Sequence, residues 1–298
     1  MSRSLKAHLL LVLVTLVWGA TFVLIKSALE FVSPLLFNAV RISLAAICLL
    51  LIFRRDMARI SWDSTRAGVV VGLFLWAGFE FQTVGLKLTT PSKSAFLTGV
   101  SVVLVPIFQA IGWRRMVNRW TAGGVVAAAI GLYMLTVPAA AGHGFDLSLN
   151  GVNRGDMLTL GCAVGFALQI IAMGRATARY SFQQIATVEA VVCAVLMILT
   201  VPVQEKVFVT WTPTVIWAVV ITGLLGTAAA FAIQAWAQQF TPPTHTALIF
   251  VLEPVFAWLT SYVVLGERLG ARATMGALLI LGGVVVSELK GQPGSSQD

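Results

Sequence analysis

Apolar residues run in long blocks along this chain, and polar ones fall mainly between the blocks. A helix needs about 20 apolar residues to cross a hydrocarbon core. Ten segments reach that length: 7–29, 34–53, 67–87, 92–113, 120–137, 154–173, 182–203, 213–238, 243–265 and 270–289. Most are separated by short connections carrying Pro, Gly or basic residues, as at Ser33–Pro34, Arg114–Arg115 and Thr241–Pro242–Pro243. The long connection 138–153 is rich in Gly and small residues and is expected to be a linker; the polar tail 290–298 is expected to be disordered. The first block opens on Arg3 and Lys6 in the manner of a secretory signal. It continues through Trp18 to Leu29 with no small-residue cleavage pattern, and so reads as the first span.

Composition points the same way. Hydrophobic residues make up 58 % and charged residues 11 %, where a soluble domain carries about 25 % charged. Lipid is the solvent that tolerates so little polar surface. The net charge of +8 does not call for nucleic acid, because the basic residues cluster between blocks, as at Arg54, Arg55, Arg59 and Arg66. With the N-terminus inside, the inner segments hold twelve Lys and Arg and the outer ones six. This predicts a multi-pass protein of the cell membrane with both termini cytoplasmic.

The two halves repeat. Residues 95–133 align without a gap to 247–285 at an offset of 152, pairing Gly124 with Gly276 and Gly131 with Gly283. The third and eighth segments align at 151, the second and seventh near 148, and the first and sixth near 146. Five is odd, so the second copy enters the bilayer from the opposite side. The predicted fold is all-α, ten transmembrane helices as two inverted five-helix repeats around a central cavity: 7–137, linker 138–153, 154–289, tail 290–298. Inverted repeats place a substrate near the midplane and permit alternating access.

Several strings then accumulate: Trp18–Gly19, Arg41 within the second span, QTVGLKLTTPSKSAFLTGVSVVLVP from Gln82, ALIFVLEPVFAWLTSYVVLGERL from Ala247, and GALLILGGVVV from Gly276. Together they resemble the drug/metabolite transporter superfamily, EamA type, over roughly 7–289. The resemblance implies two inverted repeats around a cavity and, for most members, export of amino acids and other metabolites. Arg114–Arg115 departs from it, standing where the second repeat has Gly266–Glu267.

Charged residues inside spans are costly, about 2.5–3.5 kcal/mol at the bilayer centre on the lenient scale. Lys26, Arg41, Glu80, Glu189 and Glu253 must therefore face protein or water. Trp76, Glu80, Thr83 and Lys87 share one helix face, and their counterparts are Thr227, Phe231, Gln234 and Gln238. Either these stripes line the cavity, or Glu80 pairs with Lys26 or Arg41. Ser94, Thr98 and Ser101 serve helix contact or cavity lining. Trp18, Thr21, Trp76, Glu80, Thr83, Thr98, Gln169, Thr227 and Gln234 are the substrate-binding candidates. Glu80 and Glu253, the latter at the Pro254 break, are the proton-coupling candidates. Arg41 and Glu189 occupy equivalent places and, with Lys26, are assigned to structural charge pairs. His245 is read as interfacial, and the Gly-bearing fifth and tenth spans as peripheral.

Cys48, Cys162 and Cys193 lie inside apolar blocks, and His8, His143 and His245 are far apart in sequence, so no zinc site or disulfide framework is expected. There is no GxxxxGK[ST] string, hence no direct use of ATP, and no cofactor or metal is expected. The scattered acids do not form the carboxylate cluster of a lipid-modifying membrane enzyme. The reading is a secondary transporter, not an enzyme, exporting small metabolites such as amino acids; a passive facilitator of the same fold is the alternative. Its partners are a small-molecule substrate, the lipid bilayer and candidate coupling protons; nucleic acid is not among them, and the oligomeric state is left open, a monomer being compatible with the pattern.

Overall fold

The computed structural model describes residues 2–86, 88–89, 91–114, 116–136, 153–266 and 270–290. Within them the regular structure is helical, apart from one isolated bridge between Val32 and Val209. The expected linker up to residue 152 and the tail from 291 lie outside the described residues, as do His143, Lys87 and Arg115.

The first half runs through α1 (Arg3–Ala28), α2 (Pro34–Ile52), the single turn α3 (Arg54–Met57), α4 (Trp62–Leu86), α5 (Pro91–Gly99), α6 (Ser101–Trp113) and α7 (Arg119–Thr136). The second holds α8 (Arg154–Thr177), α9 (Phe182–Gln204), α10 (Pro213–Gly223), α11 (Ala230–Ala237), α12 (Pro243–Phe250), α13 (Glu253–Leu265) and α14 (Ala271–Lys290). Helix starts follow local chemistry. Asn153 and Asp156 form a reciprocal capping box on α8, and Thr212 caps α10 with Pro213 at its first position.

Among the described residues, nine spans are long and apolar enough to cross a membrane. Ten were expected. The remaining place is taken by α7, which has 18 residues and opens on Arg119 and Trp120, short of that standard.

Three spans are not continuous α-helix. The ninth expected span breaks at Val251–Leu252 and restarts at Glu253, because Pro254 has no N–H to bond back. The fourth breaks at the equivalent place, Val100, and restarts at Ser101. No proline stands there; a tightened turn replaces the regular ladder, with Val103 and Leu104 both donating to the Val100 carbonyl, at 2.9 and 3.1 Å. The eighth is interrupted by a π-helical segment, Leu224–Ala229. Equivalent helices α6 and α13 both end on a left-handed residue, Arg114 at φ 53° and Gly266 at φ 70°.

Helices α7 and α14 pack along each other through glycine. A methyl group on Gly124 would lie 2.6 Å from the Gly283 carbonyl oxygen, and one on Gly283 would lie 2.6 Å from that of Gly124. Gly131 and Gly276 stand in the same relation, at 2.5 Å both ways. As numbering rises along α7 the partner falls along α14, so the helices are antiparallel. The repeat pairs Gly124 with Gly276 and Gly131 with Gly283, so each contact maps onto the other. A two-fold axis that exchanges antiparallel membrane helices is perpendicular to them and lies in the bilayer plane. The repeats are inverted.

A second reciprocal contact sits deeper. Gly72 on α4 packs on the Glu189 carbonyl and Val192 of α9, while Gly223, closing α10, packs on the Arg41 carbonyl and Leu44 of α2. Beyond these, α4 lies against α8 and α9, α2 against α9, and α1 against α11 and α13.

Candidate functional site

Two layers of buried polar side chains meet at the boundary between the repeats. The first belongs mainly to α2 and α4. Arg41 donates through Nε to Asn38 Oδ1 at 2.9 Å and through an η nitrogen to Thr227 Oγ1 at 3.2 Å. Its guanidinium lies 5.0 Å from the centre of the Phe79 ring, a cation–π contact. Asn38 Nδ2 donates to Thr83 Oγ1 at 3.1 Å. Thr227 lies in the π segment and donates its own hydroxyl to the Thr222 carbonyl five residues back. One threonine thereby ties a first-repeat arginine to an irregular turn of the second repeat.

The second layer is built by α8, α9 and α11. Gln238 Nε2 donates to the Ile170 carbonyl at 2.9 Å, and Gln234 Nε2 to Gln238 Oε1 at 3.2 Å and Gln169 Oε1 at 3.1 Å. Gln169 Nε2 donates to Glu189 Oε1 at 2.6 Å. This relay of carboxamides ends on a carboxyl group that is fully buried.

Aromatic rings join the layers. Phe79 stands edge-on to Phe166 at 5.4 Å and to Phe231 at 6.5 Å. Trp18 packs against Phe231 at 6.1 Å and Phe250 at 5.0 Å, and its indole N–H donates to the Gly226 carbonyl at 2.7 Å. The π segment is thus gripped twice by the first repeat, by Trp18 and by Arg41. Such segments frequently occur at functional sites.

The other expected residues fall around this core. Trp76 packs into the cluster of α2, α4 and α9 side chains, its indole N–H enclosed without a hydrogen-bond partner among the described residues. Glu80 is buried on α4. Thr98, beside the α5–α6 break, takes Gln82 Nε2 at 3.5 Å and lies 3.6 Å from Cys162 Sγ. Thr21 bonds within its own helix, to Val17 and Trp18 carbonyls, and adds no cross-helix bond among the described residues. Glu253 opens α13 and lies within electrostatic range of Arg41.

Arg41 and Glu189 do occupy equivalent positions, but among the described residues no ion pair joins them; each is held by neutral partners instead. The side chain of Lys26 lies outside the described part of the structure. Asn38 and the backbone of Gly226 were not anticipated. Asn38 stands one turn from Arg41, a spacing that could have marked it; nothing in sequence marks a backbone carbonyl.

A third cluster was hidden by sequence distance. His8 Nδ1 lies 2.7 Å from Glu288 Oε2 and His245 Nδ1 2.9 Å from Glu288 Oε1, with the imidazoles stacked at 6.4 Å. It ties α1, α12 and α14 at the end where α1 begins and α14 finishes. His245 is therefore buried and bonded to Glu288 at that end of the bundle. Separately, a groove of about 420 Å³ opens between α4 and α8, lined by Val70, Phe74, Leu168 and Ile171 with Arg175 and Arg179. It touches neither polar layer. Among the described residues no group of His, Cys, Asp and Glu is arranged to hold a metal ion.

Apolar spans, an inverted repeat and buried polar layers between the copies define a multi-pass membrane transporter. The sequence profile of the EamA-like transporter family matches residues 5–137 and again 153–289. The chain belongs to that family. An uncharacterized transporter of Archaeoglobus fulgidus is 33 % identical over 292 residues, covering 97 % of this chain and 87 % of its own length. The S-adenosylmethionine/S-adenosylhomocysteine transporter of Chlamydia muridarum is 31 % identical over 147 residues, 48 % of this chain and 45 % of its own length. A solved crystal structure superposes with a TM-score of 0.80 over 97 % of this chain and 98 % of that one, at 21 % identity, and so shares the fold.

Proposed function

We propose that this protein is a secondary transporter of the cell membrane that exports small metabolites by alternating access, with its substrate held between the Arg41 and Glu189 layers. The observation that carries the reading is the reciprocal packing of Gly72 on Glu189 and Gly223 on Arg41. Two equivalent helix pairs set at opposite depths can exchange roles when one repeat rocks against the other, as inverted-repeat carriers do. Broken helices at Ser101 and Glu253, and the π segment at Thr227, supply the places where backbone groups can be exposed to a ligand. The substrate-binding residues are Trp18, Thr21, Trp76, Glu80, Thr83, Thr98, Gln169, Thr227 and Gln234.

The chemistry favours an amphipathic solute with an aromatic or apolar body and polar groups at both ends. Rings offer stacking, Arg41 faces an anionic or acceptor end, and the Glu189 layer faces a donor. Amino acids fit. The adenosyl-bearing cargo named for the Chlamydia muridarum relative also has an aromatic body and polar ends, and the likeness to that relative covers 48 % of this chain. A passive facilitator would share every contact described and differ in turnover.

Reconstitution into proteoliposomes with a panel of amino acids and nucleoside-bearing metabolites tests the reading. Saturable flux of one class is expected, lost in Arg41→Gln. Absence of saturable flux for every class, or flux far above about 10³ per second as an open pore gives, would sink the carrier reading.

A further inference from the structure

We infer that Glu189, which the sequence assigned to a structural charge pair, carries the coupling proton, on Oε2. The inference rests on the transporter reading above and deepens it. Glu189 is wholly enclosed, with 0 % of its surface exposed. Gln169 serves Oε1 at 2.6 Å, while Oε2 has no hydrogen-bond partner among the described residues. Among the described residues no cation pairs with it.

From α8 and α11 Glu189 faces carboxamides, Gln169 and the Gln234 behind it. On α9 itself the titratable neighbour is Cys193, one turn on. Cys193 in turn lies within electrostatic range of Arg41 on α2 and Glu80 on α4. Arg41 spends its described hydrogen bonds on Asn38 and Thr227. A bare carboxylate in that shell is an uncompensated charge in a membrane interior, the most expensive way to bury a polar group. A proton on Oε2 removes the charge and adds almost no volume to this enclosed group.

The position suits coupling as well as binding. Gly72 of the first repeat rests on the Glu189 backbone carbonyl, so the residue lies at the surface along which the repeats move. An O–H bond forms on Oε2 as an O–H bond of hydronium breaks on one side, leaving water. The Oε2–H bond then breaks and passes its proton to water, forming hydronium, when the repeats rock and water reaches the group from the other side.

The test needs no substrate. The purified full chain in phosphatidylcholine bilayers is titrated with pH while the carbonyl stretch of protonated carboxylic acids is followed by infrared spectroscopy. A titrating band is expected in the wild type, retained in Glu80→Gln and Glu253→Gln, and lost in Glu189→Gln, which keeps the shape and the Gln169 bond. If Glu189→Gln does not fold, Glu189→Asp should keep the band at a shifted frequency. No titrating band in the wild type, a band that survives Glu189→Gln, or an unshifted band in Glu189→Asp overturns the proposal. A wild type that shows the band but moves no solute in proteoliposomes would instead remove the transporter reading and leave the proton site standing.

Discussion

The polar stripe of α4 and that of the α10–α11 span are the same positions in two copies of one unit, yet they are built differently. On α4 the stripe is Trp76, Glu80 and Thr83 on an unbroken helix. Its counterpart is Thr227, Phe231 and Gln234, with a π turn at the start. Their facing helices differ in the same sense: α2 offers Arg41 and α9 offers Glu189, over equivalent glycines. A shared backbone frame has thus been kept at its glycines while its side chains diverged in charge. The frame is what two inverted copies need in order to pack. The charges can differ because each meets different neighbours: Asn38 and Thr227 accept from Arg41, whereas Gln169 donates to one oxygen of Glu189 and leaves the other for the proton inferred above.

That comparison can be broken most severely at the frame. Gly283→Leu drives a side chain into the Gly124 carbonyl and should destabilise the protein by about 3 kcal/mol, the upper end for overpacking. Gly282→Leu next to it meets nothing within 4 Å and should be neutral. Thermal unfolding in detergent separates them, and equal effects would mean the α7–α14 contact is not where the copies are joined.

The next test removes the bond between the halves. Thr227→Val keeps the volume but deletes the hydroxyl that receives Arg41 and bonds the Thr222 carbonyl. A loss of about 1.5 kcal/mol and a several-fold slower flux are expected. A variant with unaltered flux would show that the π segment is not gripped from the first repeat during transport.

Arg114 and Gly266 sharpen the comparison, since both hold positive φ at equivalent helix ends and only one is glycine. Arg114→Gly should raise stability by about 1 kcal/mol by relieving the left-handed backbone cost. A decrease would mean that the Arg114 side chain makes a compensating contact. The smallest effect is expected at Thr98→Val. Its contacts with Gln82 and Cys162 are long, and interhelical hydrogen bonds in membranes average about 0.6 kcal/mol. Urea unfolding in mixed micelles should show a change within about that size.

Much of this molecule was legible in the order of its residues. Apolar blocks fix spans because a helix crossing lipid must satisfy its own backbone and present apolar side chains along its length. Five apolar blocks per repeat predicted inversion, and the Gly124/Gly131 and Gly276/Gly283 pairs already hinted at close contact. Glu253 before Pro254 announced a broken helix. The assignment of buried charges was not legible in the same way. Period and offset say that Arg41 and Glu189 are equivalent, but the side chain that satisfies each comes from helices distant in sequence. Gln169 reaches Glu189 across the α8–α9 interface, and Thr227 reaches Arg41 across the repeat boundary. The His8–Glu288–His245 cluster joins residues from the two ends of the chain for the same reason. Sequence alone determined a multi-pass, two-repeat helical transporter, because lipid imposes a one-dimensional rule on hydropathy. Only the tertiary structure decided which buried charge has a partner, because that depends on three-dimensional distance, to which no linear spacing corresponds.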